Sequence, residues 1–377
     1  WEYLEDRGIP ATIFRVPANF PPVGRTARTF SGMGTPDMTG SKGTFTFYTD
    51  DPPADAADVS GGVVVKVEIN DHVVKSELIG PPNPFREDEA LVRIPLTIYV
   101  DPERKAARID VDAARIVLKP GEWSDWVRVQ FPLLPAGLSG ASGIVRFFLK
   151  SLQPGLQLYA SPVNVDPADP AIPLSTPAAA VTEESSALGA FYTQGMPVDT
   201  KAFEWGVLGA DEFLMQAQIV LKERERMLEH ELARFDHTGG FLFFYFCTVD
   251  LTNHMMWASG DPKHPGHPKE VSPQAARAME MLYVEMDRIL SGVMERLGKD
   301  DLLIVMSDHG FAPYYRQVHL NNWLARERFL SLFDPANPKG QKLAGDVDWL
   351  QTSAYAIGFN GIYLNLQGRQ DIPRVTL

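Results

Sequence analysis

The sequence predicts an α/β protein: a mostly parallel sheet flanked by helices, with an inserted β-rich domain. Three observations carry this prediction. The chain opens on a helix–glycine–strand–loop beat, continues through short β-branched segments with no helix between them, and ends in long amphipathic helices alternating with apolar runs.

In order, residues 1–7 read as a short helix stopped by Gly8, and 11–16 as a strand. A Gly- and Pro-rich loop follows to about residue 43, and loops of this length often form binding surfaces. Residues 44–48, 63–69, 91–100, 107–112, 114–118, 124–131 and 144–150 read as short antiparallel strands, separated by turn signals such as Asn70-Asp71, Asp101-Pro102 and Pro120-Gly121. The Pro- and Ala-rich stretch 161–186 reads as an extended connector. Residues 210–235 then carry Leu214, Ala217, Val220, Leu221, Leu228 and Leu232 at helical spacing. The continuous apolar run 241–249 suits a strand covered on both faces, as does 302–306. Between these two runs, 272–297 places Met279, Leu282, Met286, Ile289, Val293 and Leu297 on one helical side. A helix over 321–328 and a strand over 362–366 complete the pattern. The domain organisation is 1–44 as the first part of the α/β domain, 45–160 as the insertion, 161–186 as the connector and 187–377 as the second part.

At 377 residues, the chain has room for two or three units of about 150 residues each. Its net charge of −13 argues against a nucleic-acid polymer as partner, since that needs a basic footprint. A small phosphorylated substrate remains compatible, because bound cations reverse the local field. Cys247 is the one cysteine, so no intramolecular disulfide forms, and its apolar context reads as a buried inert thiol. No stretch reaches the ~20 apolar residues of a membrane span. The start at Trp1 and the stop at Leu377 give the expectation that both ends are cuts inside a larger protein, and no compartment is assigned.

The chemistry lies where the two apolar runs end. FLFFYFCTVD leads into Asp250, with His254 four residues on, and LLIVMSDHG leads into Asp308 and His309. Ligands collect at the carboxyl ends of strands in α/β sheets. Positions i and i+4 share a helix face, so Asp250 and His254 suit one cation, and Gly310 permits the turn that lets Asp308 and His309 converge. Oxygen and imidazole ligands suit zinc, with manganese or iron as alternatives. Four ligands at two strand ends exceed the need of one catalytic ion, and two ions about 3.5–4 Å apart would serve in-line displacement at phosphorus. The alternative for either pair is a helix cap or a solvated surface group.

These stretches resemble the alkaline phosphatase superfamily, in particular its type I phosphodiesterase and nucleotide pyrophosphatase branch. The resemblance rests on FYFCTVDLTNHMMW, IVMSDHGF, VHLNNWLARERFL and TSAYAIGFNGIYLNLQGR, and on GIPATIFRVPANFPP and SGMGTPDMTGSKGTFTFYT near the start. It implies an alkaline-phosphatase-like fold, one metal on Asp250 and His254, and the other on Asp308 and His309. It also implies an N-terminal Asp ligand, a Thr or Ser nucleophile and a last His, none of which is identified in this chain. It leans toward exported bacterial enzymes. Phosphomonoesterase, sulfatase and phosphoglycerate-mutase chemistries share the same metal cradle, and a non-catalytic metal-stabilised binding module is the rival of another class.

Among weaker candidates, His319 and His264 are substrate-side possibilities whose plainer readings are a helix cap and a solvated Pro-rich loop shared with His267. Trp257, with Met255 and Met256, reads as a substrate wall or as packing. Arg15, Arg25 and Arg28 are candidates for a phosphate fork. His72, His230 and His237 have no partner at ligand spacing.

Overall fold

The computed structural model describes residues 1–88, 90–134, 138–334, 343–358 and 360–376; the side chains of Asp58, His237, Thr238, Leu343 and Ala344 lie outside the described set. Two compact units result, Trp1–Phe311 and Ala312–Leu377.

The first unit opens with α1 (Glu2–Glu5), β1 (Ala11–Phe14) and β2 (Arg28–Phe30). The β-rich part begins with β3 (Phe45–Thr49), β4 (Gly62–Lys66), β5 (Val73–Pro82), β6 (Leu91–Asp101), β7 (Ala106–Val111) and β8 (Ala114–Leu118). It continues with β9 (Glu122–Trp123), β10 (Val127–Leu134), β11 (Ser139–Val145), β12 (Phe147–Ser151), β13 (Gln157–Ala160) and β14 (Asn164–Val165). Strand β15 (Ser175–Thr176), α2 (Ala179–Leu188), α3 (Thr200–Glu204) and α4 (Ala210–Thr238) lead to β16 (Phe241–Phe244). Helices α5 (Cys247–Gly260), α6 (Pro273–Ala276) and α7 (Ala278–Met294) follow. The second unit holds α8 (Leu320–Arg326), α9 (Leu343–Asp346), β17 (Ala354–Ile357) and β18 (Gly361–Leu364).

The sheet that positions the site has the order β15-β2-β1-β16, with β1 parallel to both β2 and β16. Strand β1 is buried because it is central: Phe14 stacks on Phe244 at 4.4 Å and meets Phe30 at 4.7 Å between ring centroids. Helix α4 covers this layer with the face read from its periodicity, burying Phe213, Leu214, Ala217, Val220, Leu221, Leu228 and Leu232. Asp211 and Glu212 in its first turn complement the helix dipole, and Glu212 accepts the Gly209 amide at 2.6 Å.

The β-rich part is three sheets, β5-β6-β7-β8, β10-β11-β14 and β4-β3-β13-β12-β9. The expected antiparallel pattern holds except that β3 and β4 run parallel. Its core joins that of the α/β part, since Phe14, Phe30 and Met227 share one apolar cluster with Val74, Ile98 and Phe131.

Several elements differ from the sequence expectation. The strand expected over 241–249 stops at Phe244, and Asp250 lies in the first turn of α5. Pairing decides this. Strand β1 ends at Phe14, directly opposite Phe244, and the Tyr245 amide makes the last bond, to the Phe14 carbonyl at 3.2 Å. The expected strand 302–306 is irregular and solvent-exposed, with no partner strand for it among the described residues. The helix expected over 272–297 breaks at Arg277 into α6 and α7. The connector 161–186 contains β14, β15 and most of α2. Val181 N donates to Ser175 Oγ at 3.0 Å across the start of that helix, whose Ala-rich run favours it. Strands β2, β5 and β13 and the hairpin partner β17 were not expected. Glycine and proline dilute the β5 pattern, yet Gly80 is there for space: a Cβ would meet the Phe131 ring at 2.2 Å.

In the second unit, Asn321 pins α8 to β17. Its amide donates to the Ala356 carbonyl at 3.0 Å and accepts the Ala356 N–H at 2.7 Å.

Candidate metal centre

The β16–α5 junction sets the centre. With Phe246 as N-cap, Asp250 falls in the first turn of α5 and His254 one turn later on the same face. Asp250 Oδ1 lies 3.3 Å from His254 Nε2 and 3.5 Å from His309 Nε2. One oxygen and two imidazole nitrogens thus converge, with both histidines about half exposed. Asp308 stands beside them and is largely exposed, its Oδ2 3.8 Å from His309 Nε2. The geometry therefore brings together three of the four candidate ligands read from sequence, and leaves the fourth at the rim.

His309 Nδ1 is 3.0 Å from the Gly310 carbonyl. A carbonyl only accepts, so Nδ1 carries a proton there, and Nε2 is the nitrogen turned toward Asp250. The Gly310 hydrogen bond, with Asp308 and Asp250 adding, holds the His309 pKa above the usual imidazole value. Backbone anchoring of the distal nitrogen is the usual way a metal-binding histidine is oriented. The donor set also fits an ion by spacing: ligands about 2.0–2.2 Å from a tetrahedral zinc lie roughly 3.3–3.6 Å from one another.

Two aromatic residues complete the rim. Phe311 presents its edge to His254 at 4.9 Å and to His309 at 5.2 Å, and lies nearly parallel to Trp257 at 6.3 Å. Phe311 was missed in the sequence, although its place directly after the Asp-His-Gly turn was a signal for it. Tyr245, also missed, has its phenol pushed up to about 12, by burial first and then by Cys247, Asp250 and Asp308. It is a proton donor at neutral pH.

The other candidates fall elsewhere. His264 Nδ1 accepts the Gly266 amide at 3.0 Å within its loop, and His267 Nδ1 sits 2.8 Å from the Ala258 carbonyl of α5. His319 is the N-cap residue of α8 but makes no side-chain cap, and it belongs to the second unit. The three arginines considered for a phosphate fork are engaged by protein groups. Arg15 donates to the Tyr192, Thr193 and Gln194 carbonyls, Arg25 pairs with Glu5 and Asp6, and Arg28 pairs with Glu183, Glu184 and Glu231. Cys247 is buried at the start of α5.

The model of the family "Type I phosphodiesterase / nucleotide pyrophosphatase" matches residues 179–375, more than half of the chain, and spans all four ligand positions. The chain belongs to this family. Its class activity is phosphoester hydrolysis, and its members typically bind divalent metals, for which Asp250, His254 and His309 are a candidate group. The mixed α/β architecture with an extra β-rich part agrees with the alkaline-phosphatase-like fold. No curated protein and no solved structure matches the chain. Among the described residues, no helix is long and apolar enough to cross a membrane.

Proposed function

We propose that this chain is the metal-binding part of a phosphodiesterase or nucleotide pyrophosphatase acting on small phosphorylated substrates. Asp250, His254 and His309 hold one divalent cation, zinc in the first instance, and Asp308 is the ligand at hand for a second. The observation that carries this reading is the convergence of Asp250 Oδ1 on two imidazole Nε2 atoms at 3.3 and 3.5 Å, within the region matched by the family.

When bound, the cations supply Lewis-acid polarisation of a phosphoryl oxygen and stabilise charge on the attacking and leaving groups. The chain's own residues do the rest. The Gly310 carbonyl keeps His309 in the tautomer that offers Nε2. Tyr245, protonated at neutral pH, is a hydrogen-bond donor for an anionic substrate. Phe311 and Trp257 form an apolar flank on which a flat leaving group can lie. None of the described residues is assigned as the Thr or Ser nucleophile.

The test is zinc and manganese content by elemental analysis, with bis-p-nitrophenyl phosphate hydrolysis measured on the chain and on a longer form extended at both ends. The proposal expects bound metal in both, diesterase activity in the longer form, and in His254→Ala loss of this centre's metal together with that activity. Full metal content in His254→Ala would overturn it.

A further inference from the structure

A second cluster of metal-binding side chains lies in the first unit and shares no residue with the Asp250 centre. Glu184 of α2 and His230 and Glu231 of α4 each bring one ligand atom within 4.8 Å of the others. The two carboxylate side chains are fully buried, while the His230 ring is 30% exposed. We propose that Glu184, His230 and Glu231 form a separate divalent-cation site that takes zinc and ties α2 to α4.

The spacing suits an ion. His230 Nε2 lies 3.6 Å from Glu184 Oε2, close to the roughly 3.3–3.6 Å between ligands on a tetrahedral zinc. An independent observation points the same way: Glu184 Oε1 and Glu231 Oε2 are both buried without a hydrogen-bond partner. A buried carboxylate oxygen left in that state is costly, and coordination to a cation satisfies it.

Charge supports the assignment. Arg28 gives Nε to Glu231 Oε1 at 3.0 Å, Nη2 to Glu184 Oε2 at 3.4 Å and Nη1 to the exposed Glu183 at 2.8 Å. Arg234, itself partly exposed, reaches only to 3.7 Å from Glu231 Oε2. The buried portion thus has two carboxylates against one guanidinium, with the His230 imidazole beside them. Two buried carboxylates this close repel each other, and a cation between them offsets that repulsion. Arg28 orients both carboxylates as outer-sphere groups do in metal sites, and the exposed edge of His230 is the way in.

The experiment uses the full chain with the first centre silenced by Asp250→Asn, His254→Ala and His309→Ala together, titrated with zinc by calorimetry. The expected result is about one zinc per chain, an unfolding midpoint that rises with zinc, and at least tenfold weaker binding once His230→Ala is added. Cobalt in place of zinc should give visible ligand-field bands that vanish with His230→Ala. His230 is partly exposed, so its removal leaves the packing in place, and circular dichroism checks this. Should the triple variant not fold, the unmodified chain replaces it, and His230→Ala must then lower zinc stoichiometry by about one site. Folded protein that binds no zinc once the first centre is silenced overturns the proposal and leaves a carboxylate pair held by Arg28. Zinc binding indifferent to His230→Ala overturns it equally.

Discussion

Asp250 Oδ1 faces two imidazole nitrogens at 3.3 and 3.5 Å, and this one oxygen sets the character of the centre. Removing a neighbour tests it. A structural or catalytic zinc draws roughly 3 kcal/mol from each ligand, so His254→Ala should weaken zinc binding about a hundredfold, read by competition with a chelating dye. Asp308→Ala removes a carboxylate at the exposed rim and should cost less. A second residue-scale prediction concerns Glu5, whose Oε1 accepts the Arg25, Thr26 and Ala27 amides at 2.6–2.7 Å. These bonds, Ala27 first, lower its pKa to about 2. A depressed carboxylate contributes stability above its unfolded value of 4.5, and loses it as pH falls toward about 2. Glu5→Gln should therefore flatten the acid limb of the unfolding midpoint between those pH values and lower the midpoint at pH 7. An unchanged acid limb would count against the role.

Among the elements, the Gly/Pro stretch after β1 shows how little room the chain leaves. A Cβ on Gly32 would sit 1.9 Å from the Val16 carbonyl oxygen, a backbone atom that cannot swing away. Gly32→Ala should cost about 3 kcal/mol, the upper end of the usual overpacking range, measured as a shift in urea midpoint with unchanged slope. The same stretch shows the limits of reading elements from pattern. Its glycines and prolines mark a loop, yet Arg28–Phe30 pairs with β1 as β2, because a strand of three residues is stabilised by its neighbours rather than by its own composition. Helix α4 was legible throughout, since its apolar period persists over many turns. The run after Gly240 was not, because continuous apolar residues fit a buried strand and a buried helix alike.

For the molecule as a whole, exposed apolar surface is the property with consequences. Residues 302–306 expose Leu302 at 84%, Ile304 at 69%, Val305 at 71% and Met306 at 75%, and α7 exposes Tyr283, Val284 and Met294. A contiguous apolar run with no strand partner among the described residues is a template for association. The chain on its own should self-associate with rising concentration in sedimentation velocity. Ile304→Lys with Met306→Lys should suppress this without lowering the unfolding midpoint, and equal association in that variant would remove the segment from consideration.

Sequence alone determined the α/β class, the extra β-rich part and the long helix α4, and it offered Asp250, His254, Asp308 and His309 as a candidate ligand set, because each rests on local spacing or residue chemistry. Tertiary structure decided what depends on a neighbour. It ended β16 at Phe244, where β1 ends, and so put Asp250 on a helix. It grouped His309 with Asp250 and His254 and left Asp308 at the rim. It also gathered Glu184, His230 and Glu231, residues 46 and 47 positions apart along the chain for which no spacing rule exists, around one buried charge. Convergence of distant side chains follows from packing, and packing is not written in any local window.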